Sequence, residues 1–516
     1  MLGNRNSKVL DELIFPYPEE RIILVESRES NDDILTGERA DISARLSKRI
    51  LKELDLPYHQ TLIRLNQCSR NLAGDTKGPN VLYLSATEGG YPRKGLRIFG
   101  QQGKTGEVFP SLNFVDLVLN EESLKEGALH IYSHELGHVM MNNIMPSFAN
   151  IAPERTASLQ HVSMGVTDYF TAFFEGWGNH FQSFSTGIKK YRESFEAQYD
   201  PHYILKTLWH CTIDRELRVN GVIRNSYIYE KPLIPELLSP DLSLADKILL
   251  DHTYPQFNLL KLRNAQQMLS CEGVIASIFQ RIMTSQRIRN NFRKPGFYDR
   301  ILLKQTEEDI AKLITPYENV MLKNFHVWFR LEESQEYLQK PVFIEYLHEW
   351  CRAFPEDKEE LLSIFINMTA GTTMSPETSN IYEEAAFYGI KGDAGNFAAL
   401  MKKYLVKIKE LIARVSDDFS TLSVNIGPEL WIENRHFRIR KYLWLAEPLT
   451  NLRININTAS PAELAAFPGM TVERGIEVTE KRRMKGYFRS FEEARNCGMV
   501  LPNDVEIEIL GIRDQE

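Results

Sequence analysis

Short apolar runs, separated by glycine, proline, asparagine and aspartate, occupy the first 120 positions of the chain. Residues 21–26 read RIILVE, which predicts a strand, and residues 41–54 carry isoleucine and leucine at helical spacing, which predicts a helix. Further apolar runs of strand length predict strands at residues 61–65, 80–84, 95–99 and 113–119. We therefore expect a mixed sheet in the amino-terminal part of the chain.

Beyond residue 120 the apolar positions change to the helical period. One helix is predicted from Glu121 to just before Pro146, because proline cannot continue the hydrogen-bond ladder of a helix. A second helix is predicted from about Thr167 to Ser183. These two helices carry the residues with the clearest chemistry in the chain.

Residues 190–420 are mainly helical in pattern, with the clearest segments at 244–250, 274–283, 307–313, 359–368 and 398–415. Residues 422–445 become strand-like again, and a small module follows. The chain therefore predicts an α+β fold with three domains. They are a lobe of strands and helices at 1–190, a mainly helical lobe at 191–450 that ends in a short strand-like segment, and a small all-helical module at 451–516.

The composition of the chain argues against several classes of protein. The chain has 516 residues and a net charge of −8, which argues against general electrostatic attraction to nucleic acid or anionic membranes. Its five cysteines are widely spaced and form no CxxC pair, so neither a disulfide framework nor a cysteine zinc site is expected. No export signal and no apolar stretch of membrane-spanning length is evident. These features predict a cytoplasmic protein without a membrane partner.

The motif His134-Glu135-Leu136-Gly137-His138 lies within the first of the two central helices. Positions i and i+4 share one face of a helix, so both imidazoles can bind one metal ion with the glutamate beside the bound water. A zinc peptidase needs these residue types at this spacing. The motif therefore predicts His134 and His138 as zinc ligands and Glu135 as the general base.

A catalytic zinc needs a third protein ligand, because its fourth position is kept for water. Glu175 lies on the second predicted helix among apolar residues, where an unpaired carboxylate is costly unless a cation neutralises it. Asp168 is an alternative ligand. His130 lies a further turn back on the row of His134 and His138, and three ligands in one row cannot surround one ion. The sequence after His138 lacks the glycine and third histidine of the metzincins, which excludes that class.

This arrangement resembles the gluzincin metallopeptidases, in which HExxH on one helix is completed by a glutamate on the next. The resemblance covers about residues 20–185 and implies a zincin-like lobe, a mixed sheet plus the HExxH helix. It implies one Zn²⁺ ion held by His134, His138 and Glu175, with Glu135 as the catalytic residue.

The same resemblance identifies candidate neighbours of the ligands. Gluzincins often carry an aspartate four residues beyond the third ligand, where it holds the first histidine by a hydrogen bond. This chain has Asn179 there, whose amide oxygen accepts the same bond without a charge. Asp168 is a second candidate neighbour of the metal ligands.

The carboxy-terminal residues 454–490 resemble the helix-hairpin-helix domain of the DNA-uptake protein ComEA and its relatives. Ser460-Pro461-Ala462-Glu463 predicts a helix start, and Phe467-Pro468-Gly469 predicts the turn of the hairpin. A second helix is predicted over residues 476–484. In DNA-binding members, backbone amides of the hairpin approach a phosphate and a basic residue follows.

DNA and protein remain alternative partners of this module. Thr471 stands where these domains prefer glycine, and residues 453–516 hold nine Lys and Arg against eleven Asp and Glu, a net charge of −2. The candidate contact residues for DNA or a partner are Gly469, Thr471, Lys481, Arg482 and Arg483.

Taken together, these features predict a zinc-dependent peptidase that hydrolyses protein or peptide substrates with metal-activated water. The carboxy-terminal module would direct it to nucleic acid or to a protein partner. The alternative is a catalytically inactive zincin-fold binding protein whose helix-hairpin-helix module mediates the interaction.

Overall fold

The computed structural model describes residues 7–29, 34–100, 104–125, 129–157, 169–185, 265–338, 340–390, 393–422, 430–433, 453–457, 459, 464–465, 467–485 and 487–501. The chain divides into two compact units. The first comprises Met1–Ala149, Trp177–Tyr199 and Met283–Glu333, and the second comprises Asn150–Gly176, Asp200–Ile282 and Ser334–Glu516. Both units are therefore assembled from separated stretches of sequence.

The first unit contains a closed five-stranded sheet that follows helix α1 (Ser7–Ile14). Its strands are β1 (Ile23–Ser27), β2 (Leu35–Arg39), β3 (Val81–Leu84), β4 (Tyr91–Gly100) and β5 (Lys104–Leu117). Their order is β1-β2-β4-β5-β3, and parallel pairing of β3 with β1 closes the barrel. The β1–β2 and β4–β5 pairs are antiparallel, whereas β2–β4 and β3–β5 are parallel. The predicted mixed sheet is confirmed.

Alternate residues of the strands fill the barrel, because successive side chains of a strand point to opposite faces. Ile23 and Val25 of β1 pack with Val81 and Tyr83 of β3 in one buried cluster. The same cluster contains Leu96, Ile98, Leu112 and Phe114 of β4 and β5. The barrel is therefore a packed core.

Two helices lie between β2 and β3 in the chain, α2 (Arg45–Leu54) and α3 (Pro57–Leu72). The prediction of a strand at residues 61–65 is wrong, because this segment lies inside α3. Nearly every residue of α3 from His59 to Asn71 is buried. A helix buried on all sides shows no amphipathic period, so a short apolar run within it resembles a strand.

The predicted helix from Glu121 to Pro146 is present as two helices, α4 (Glu121–Lys125) and α5 (His130–Ile144). Pro146 then begins α6 (Pro146–Ala157), which agrees with proline being tolerated in the first turn. Helix α7 (Tyr169–Ser185) agrees within two residues with the second predicted helix. The division between the two units passes through α7 after Gly176.

The remaining structure before the terminal module is helical. The helices are α8 (Ala265–Leu269), α9 (Glu272–Thr284), α10 (Gln286–Asn290), α11 (Ile310–Leu313), α12 (Pro316–Ser334), α13 (Val342–Ala353), α14 (Lys358–Met368), α15 (Pro376–Ile390) and α16 (Ala394–Asp417). Short 3₁₀ turns lie at Pro295–Phe297, Asp299–Ile301, Glu336–Leu338, Pro355–Asp357 and Phe419–Thr421. Three of the five helical segments predicted here are confirmed in α9, α14 and α16, and the segment 307–313 is helical only in α11. Residues 244–250 lie outside the described ranges.

The terminal module contains both strands and helices. Strand β6 (Trp431–Glu433) pairs antiparallel with β7 (Arg453–Asn455), and helices α17 (Val472–Lys485) and α18 (Phe491–Asn496) follow. Leu430 and Ile432 share a buried apolar cluster with residues of the module, among them Ile456, Phe467, Phe488 and Phe491. The prediction of an all-helical module is therefore incomplete, because three-residue strands are too short for alternation to be recognised.

The hairpin turn of the module is present where the sequence predicts it. The amide of Met470 donates to the carbonyl oxygen of Phe467 at 3.1 Å, and Gly469 has φ +80°, which favours glycine. The predicted helix start at Ser460–Glu463 lies outside the described residues.

The described residues form an α+β protein, as predicted, with helices far outnumbering strands. Among the described helices, none combines the length and the apolar character that crossing a bilayer requires.

Candidate metal centre

Helices α5 and α7 pack closely because small residues lie where they face each other. A Cβ built on Gly137 would be only 3.3 Å from Cβ of Phe181. The indole Nε1 of Trp177 donates a hydrogen bond to the carbonyl oxygen of Gly137 at 3.1 Å, and its ring packs edge-on against Trp328. This contact positions the histidine motif of α5 against the second half of α7.

His134, His138 and Glu175 come together in the structure. One ligand atom from each side chain lies within 4.8 Å of the other two, and in the described ranges this is the one such group of three metal-ligating residues. His138 is 2% exposed and Glu175 is 4% exposed, whereas His134 is partly accessible. Two imidazoles and a carboxylate are therefore gathered in a largely buried position.

The two imidazoles face each other through the atoms that a metal would use. Nε2 of His134 and Nε2 of His138 are 3.0 Å apart, and the rings are nearly perpendicular. Tetrahedral coordination with Zn–N distances of about 2.0–2.1 Å places two such nitrogens about 3.3 Å apart. The nitrogen pair and the neighbouring carboxylate thus fit the donor set of a zinc ion.

Gly178 keeps open the space beside these nitrogens. A Cβ built on Gly178 would lie 2.7 Å from Nε2 of His138 and 2.9 Å from Cε1 of His134. Any side chain at this position would therefore press against both imidazole rings. Sequence analysis did not single out Gly178, although its place three residues after a candidate ligand on a helix is a usable signal.

The other residues predicted for the site lie on the same two helices. Glu135 follows His134 on α5 and is 6% exposed, and Asn179 lies one turn after Glu175 on α7 and is 3% exposed. Asp168 lies outside the described residues, so its proposed role stays a prediction.

Polar side chains hold the far end of α5 in place. Nδ2 of Asn143 donates to Oδ1 of Asn66 at 3.2 Å and to Oγ of Ser69 at 2.9 Å, both on α3. Its Oδ1 accepts a bond from Nδ2 of Asn113 on β5 at 2.9 Å. This one amide therefore connects the histidine helix to α3 and to the barrel. These partners are 30 to 77 residues away in the sequence, so no local pattern reveals them.

Near the start of α5, His59 of α3 lies edge-on to Tyr132, with 6.1 Å between the ring centroids. Its Nδ1 is 2.7 Å from the carbonyl oxygen of Glu53, and burial lowers the pKa of His59 to about 4. His59 is therefore neutral at pH 7 and serves the packing of α5.

In the terminal module, candidate contact residues are engaged within the module. Nζ of Lys481 donates to the carbonyl oxygen of Cys497 at 3.0 Å, and Arg482 donates to those of Ile456 at 2.7 Å and Ala459 at 2.9 Å. Oγ1 of Thr471 accepts from the amide of Arg474 at 3.2 Å, as a helix cap does. Arg483 lies on α17, and Gly469 forms the turn described above.

Comparisons of this chain with protein-family models, with curated proteins and with solved structures each find no match. The gathered donors, Glu135 on the same helix and the space kept open by Gly178 are thus the observations that bear on function.

Proposed function

We propose that this protein is a zinc-dependent peptidase whose metal ion is held by His134, His138 and Glu175. The observation that carries the proposal is the approach of these three side chains to within 4.8 Å of one another in a largely buried position. The two imidazole nitrogens face each other beside a buried carboxylate, and each of these groups has a lone pair that a metal ion can bind. The donor set is that of catalytic zinc sites with two histidines and one glutamate.

Glu135 is the proposed general base. When bound, zinc supplies Lewis acidity toward water and toward the carbonyl oxygen of the scissile peptide. Glu135 takes a proton from the attacking water as the new C–O bond forms. It then delivers this proton to the amide nitrogen as the C–N bond breaks, so that the products are a carboxylic acid and an amine.

We further propose that the barrel and helix α5 together form a zincin-like lobe. The mixed strand directions and the position of the sheet before the histidine helix support this proposal. The predicted cytoplasmic location stays a prediction.

Two substitutions separate metal binding from catalysis. Glu135→Gln should retain one zinc per chain but lower casein hydrolysis by about 10²- to 10⁴-fold, because it removes the general base alone. Glu175→Ala should lower zinc affinity at least about 100-fold, because it removes a ligand. Zinc is measured by elemental analysis after dialysis, and Glu122→Ala on the exposed surface of α4 serves as the control.

The same measurements distinguish the proposed peptidase from the alternative, a catalytically inactive binding protein. A wild-type chain that binds zinc but hydrolyses no casein or peptide library at a rate above that of Glu135→Gln would support the inactive alternative. A wild-type chain that binds no zinc would contradict both the site and the peptidase.

For the terminal module, we propose a protein partner in preference to DNA. Lys481 and Arg482 donate to backbone carbonyls of their own module, which reduces the cationic groups available to phosphates. Equal casein hydrolysis with and without single- or double-stranded DNA would agree with this proposal, and DNA stimulation would contradict it.

A further inference from the structure

Helix α16 carries a basic and apolar stripe on its exposed surface. One helix face carries Lys402 and, at 3, 4 and 7 residues further along the helix, Leu405, Val406 and Lys409. All four residues are exposed. Leu405 is 52% exposed and Val406 is 50% exposed. Ala413 continues the same face one turn further on. Large apolar side chains flanked by lysines are thus presented to solvent.

Helix α17 carries an acidic and apolar stripe. Glu473, Ile476, Glu477, Glu480 and Met484 share one face and are all exposed. Ile476 is 44% exposed and Met484 is 79% exposed. The stripe therefore combines the opposite charge with two large apolar side chains.

The charged side chains of the two stripes are not neutralised by ion pairs with described residues, although the Glu473 carboxylate accepts a hydrogen bond from Thr471. Lys402, Lys409, Glu473, Glu477 and Glu480 form no ion pair with any described residue. Some neighbouring charges just off the stripes are paired by contrast, since Lys407 lies 3.1 Å from Glu410 and Lys485 lies 2.7 Å from Glu493. The stripes therefore carry lysine and glutamate side chains that can form ion pairs with a partner.

The two stripes have the same residue spacing and are complementary at four of five positions, the exception being Val406 opposite Glu477. Both place their residues at offsets of 0, 3, 4, 7 and 11 along the helix, a length of about 16 Å. Aligned in the same direction, they put Lys402 opposite Glu473, and Leu405 opposite Ile476. The later positions put Lys409 opposite Glu480, and Ala413 opposite Met484.

Open space lies beside the small residue of the last of these pairs. Ala413 lines an open groove of about 580 Å³ between α14 and α16, which leaves room beside it for a long, flexible side chain. Met484 is such a side chain.

We propose that α16 of one copy of this protein docks on α17 of a second copy. Both stripes are exposed in a single chain, so they do not cover each other there. Burial of Leu405, Val406 and Ile476 supplies the association energy, and the lysine–glutamate pairs supply orientation and specificity. In a two-fold symmetric dimer the contact occurs twice. This inference is independent of the metal site.

A charge exchange tests the proposal. Sedimentation equilibrium of the full-length protein from about 1 to 200 µM should show association of the wild type, weakening as salt is raised. The K402E/K409E variant and the E473K/E480K variant should each weaken association at least about tenfold, because like charges then face each other. The variant with all four changes should recover association to within about threefold of the wild type.

The control variant reverses the charge of two lysine side chains on another helix. The K48E/K52E variant changes two exposed residues of α2 by the same chemistry and should associate as the wild type does. Thermal unfolding of every variant checks that the fold is retained. A wild type that is monomeric throughout would overturn the proposal, as would a four-fold variant that associates no better than the double variants. Recovery that does not depend on protein concentration would show docking within one chain and would also overturn it.

Discussion

The helix pair α5 and α7 and the terminal module use charged and polar side chains in opposite ways. On α5 and α7, His138 and Glu175 are buried and approach each other. In the module, Lys481 donates to the backbone carbonyl oxygen of Cys497, which follows α18. Arg482 donates to that of Ile456, which follows β7. The first arrangement offers lone pairs to a cation, whereas the second satisfies acceptors of the fold.

This difference shows how a motif should be weighed. A motif residue is a strong candidate for function when it is buried beside other side chains that can bind the same ligand. Burying such polar groups costs free energy, which packing alone does not offset. A cation of a motif is a weaker candidate when nearby carbonyl groups already accept its hydrogen bonds. The same chain contains both situations, so each motif must be judged by the contacts of its residues.

The largest expected effect comes from filling the space beside the histidines. Gly178→Ala would place a Cβ 2.7 Å from Nε2 of His138, and rings held by a metal cannot move aside. We expect zinc affinity to fall at least about 100-fold, or about 3 kcal/mol, while the metal-free protein stays folded because its rings can rotate. Isothermal titration with zinc measures the affinity.

Gly137→Ala is the matched control for this substitution. It makes the same change on the facing helix, where the new Cβ would lie 3.3 Å from Phe181 and not beside a nitrogen of the site. Wild-type zinc affinity in Gly178→Ala would show that the metal does not lie between the rings and Gly178.

A second prediction concerns His59, a histidine near α5 that lies outside the proposed metal site. His59 has a pKa of about 4 in the folded protein against an ordinary 6.5, so its stabilising contribution is complete above pH 6.5. It is lost as the pH falls toward 4, because the unfolded chain then binds the proton first. In metal-free protein we expect His59 to account for about 2 kcal/mol of lost stability between pH 7 and pH 5.

The variant His59→Gln checks this assignment, since its amide N–H can still donate to the carbonyl oxygen of Glu53. Urea unfolding at several pH values should show a flatter pH dependence in the variant than in the wild type. Equal slopes in the two proteins would refute the contribution of His59.

A smaller effect is expected in the module. Arg482→Met removes hydrogen bonds to the carbonyl oxygens of Ile456 and Ala459 and should destabilise the module by about 1–2 kcal/mol. Arg489→Met removes an exposed cation whose side chain makes no hydrogen bond to a described residue, and it should have little effect. Hydrogen exchange of α17 amides compares the two variants. Unchanged exchange in Arg482→Met would mean that this cation is not a structural residue.

The sequence predicts best those features that depend on residues close together in the chain. The spacing of His134 and His138 places them on one helix face, and Pro146 ends the helix that carries them. Glu175 is predicted as the third ligand from its apolar surroundings and from the resemblance to gluzincins. These signals are local, so they need no knowledge of the tertiary fold.

Features that depend on tertiary contacts escape this kind of prediction. Residues 61–65 have the composition of a strand, yet they lie inside α3, where burial on all sides hides the helical period. The connections of Asn143 to α3 and β5 join residues far apart in the sequence. Closure of the sheet by parallel pairing of β1 with β3 is likewise a property of the assembled barrel.

The most direct test of the central claim is X-ray absorption spectroscopy at the zinc edge of the zinc-loaded protein. We expect nitrogen and oxygen ligands only, at about 2.0–2.2 Å, with the scattering signature of two imidazoles, and loss of bound zinc in Glu175→Ala. A sulfur ligand at about 2.3 Å, or an unchanged zinc spectrum in Glu175→Ala, would contradict the proposed site of His134, His138 and Glu175.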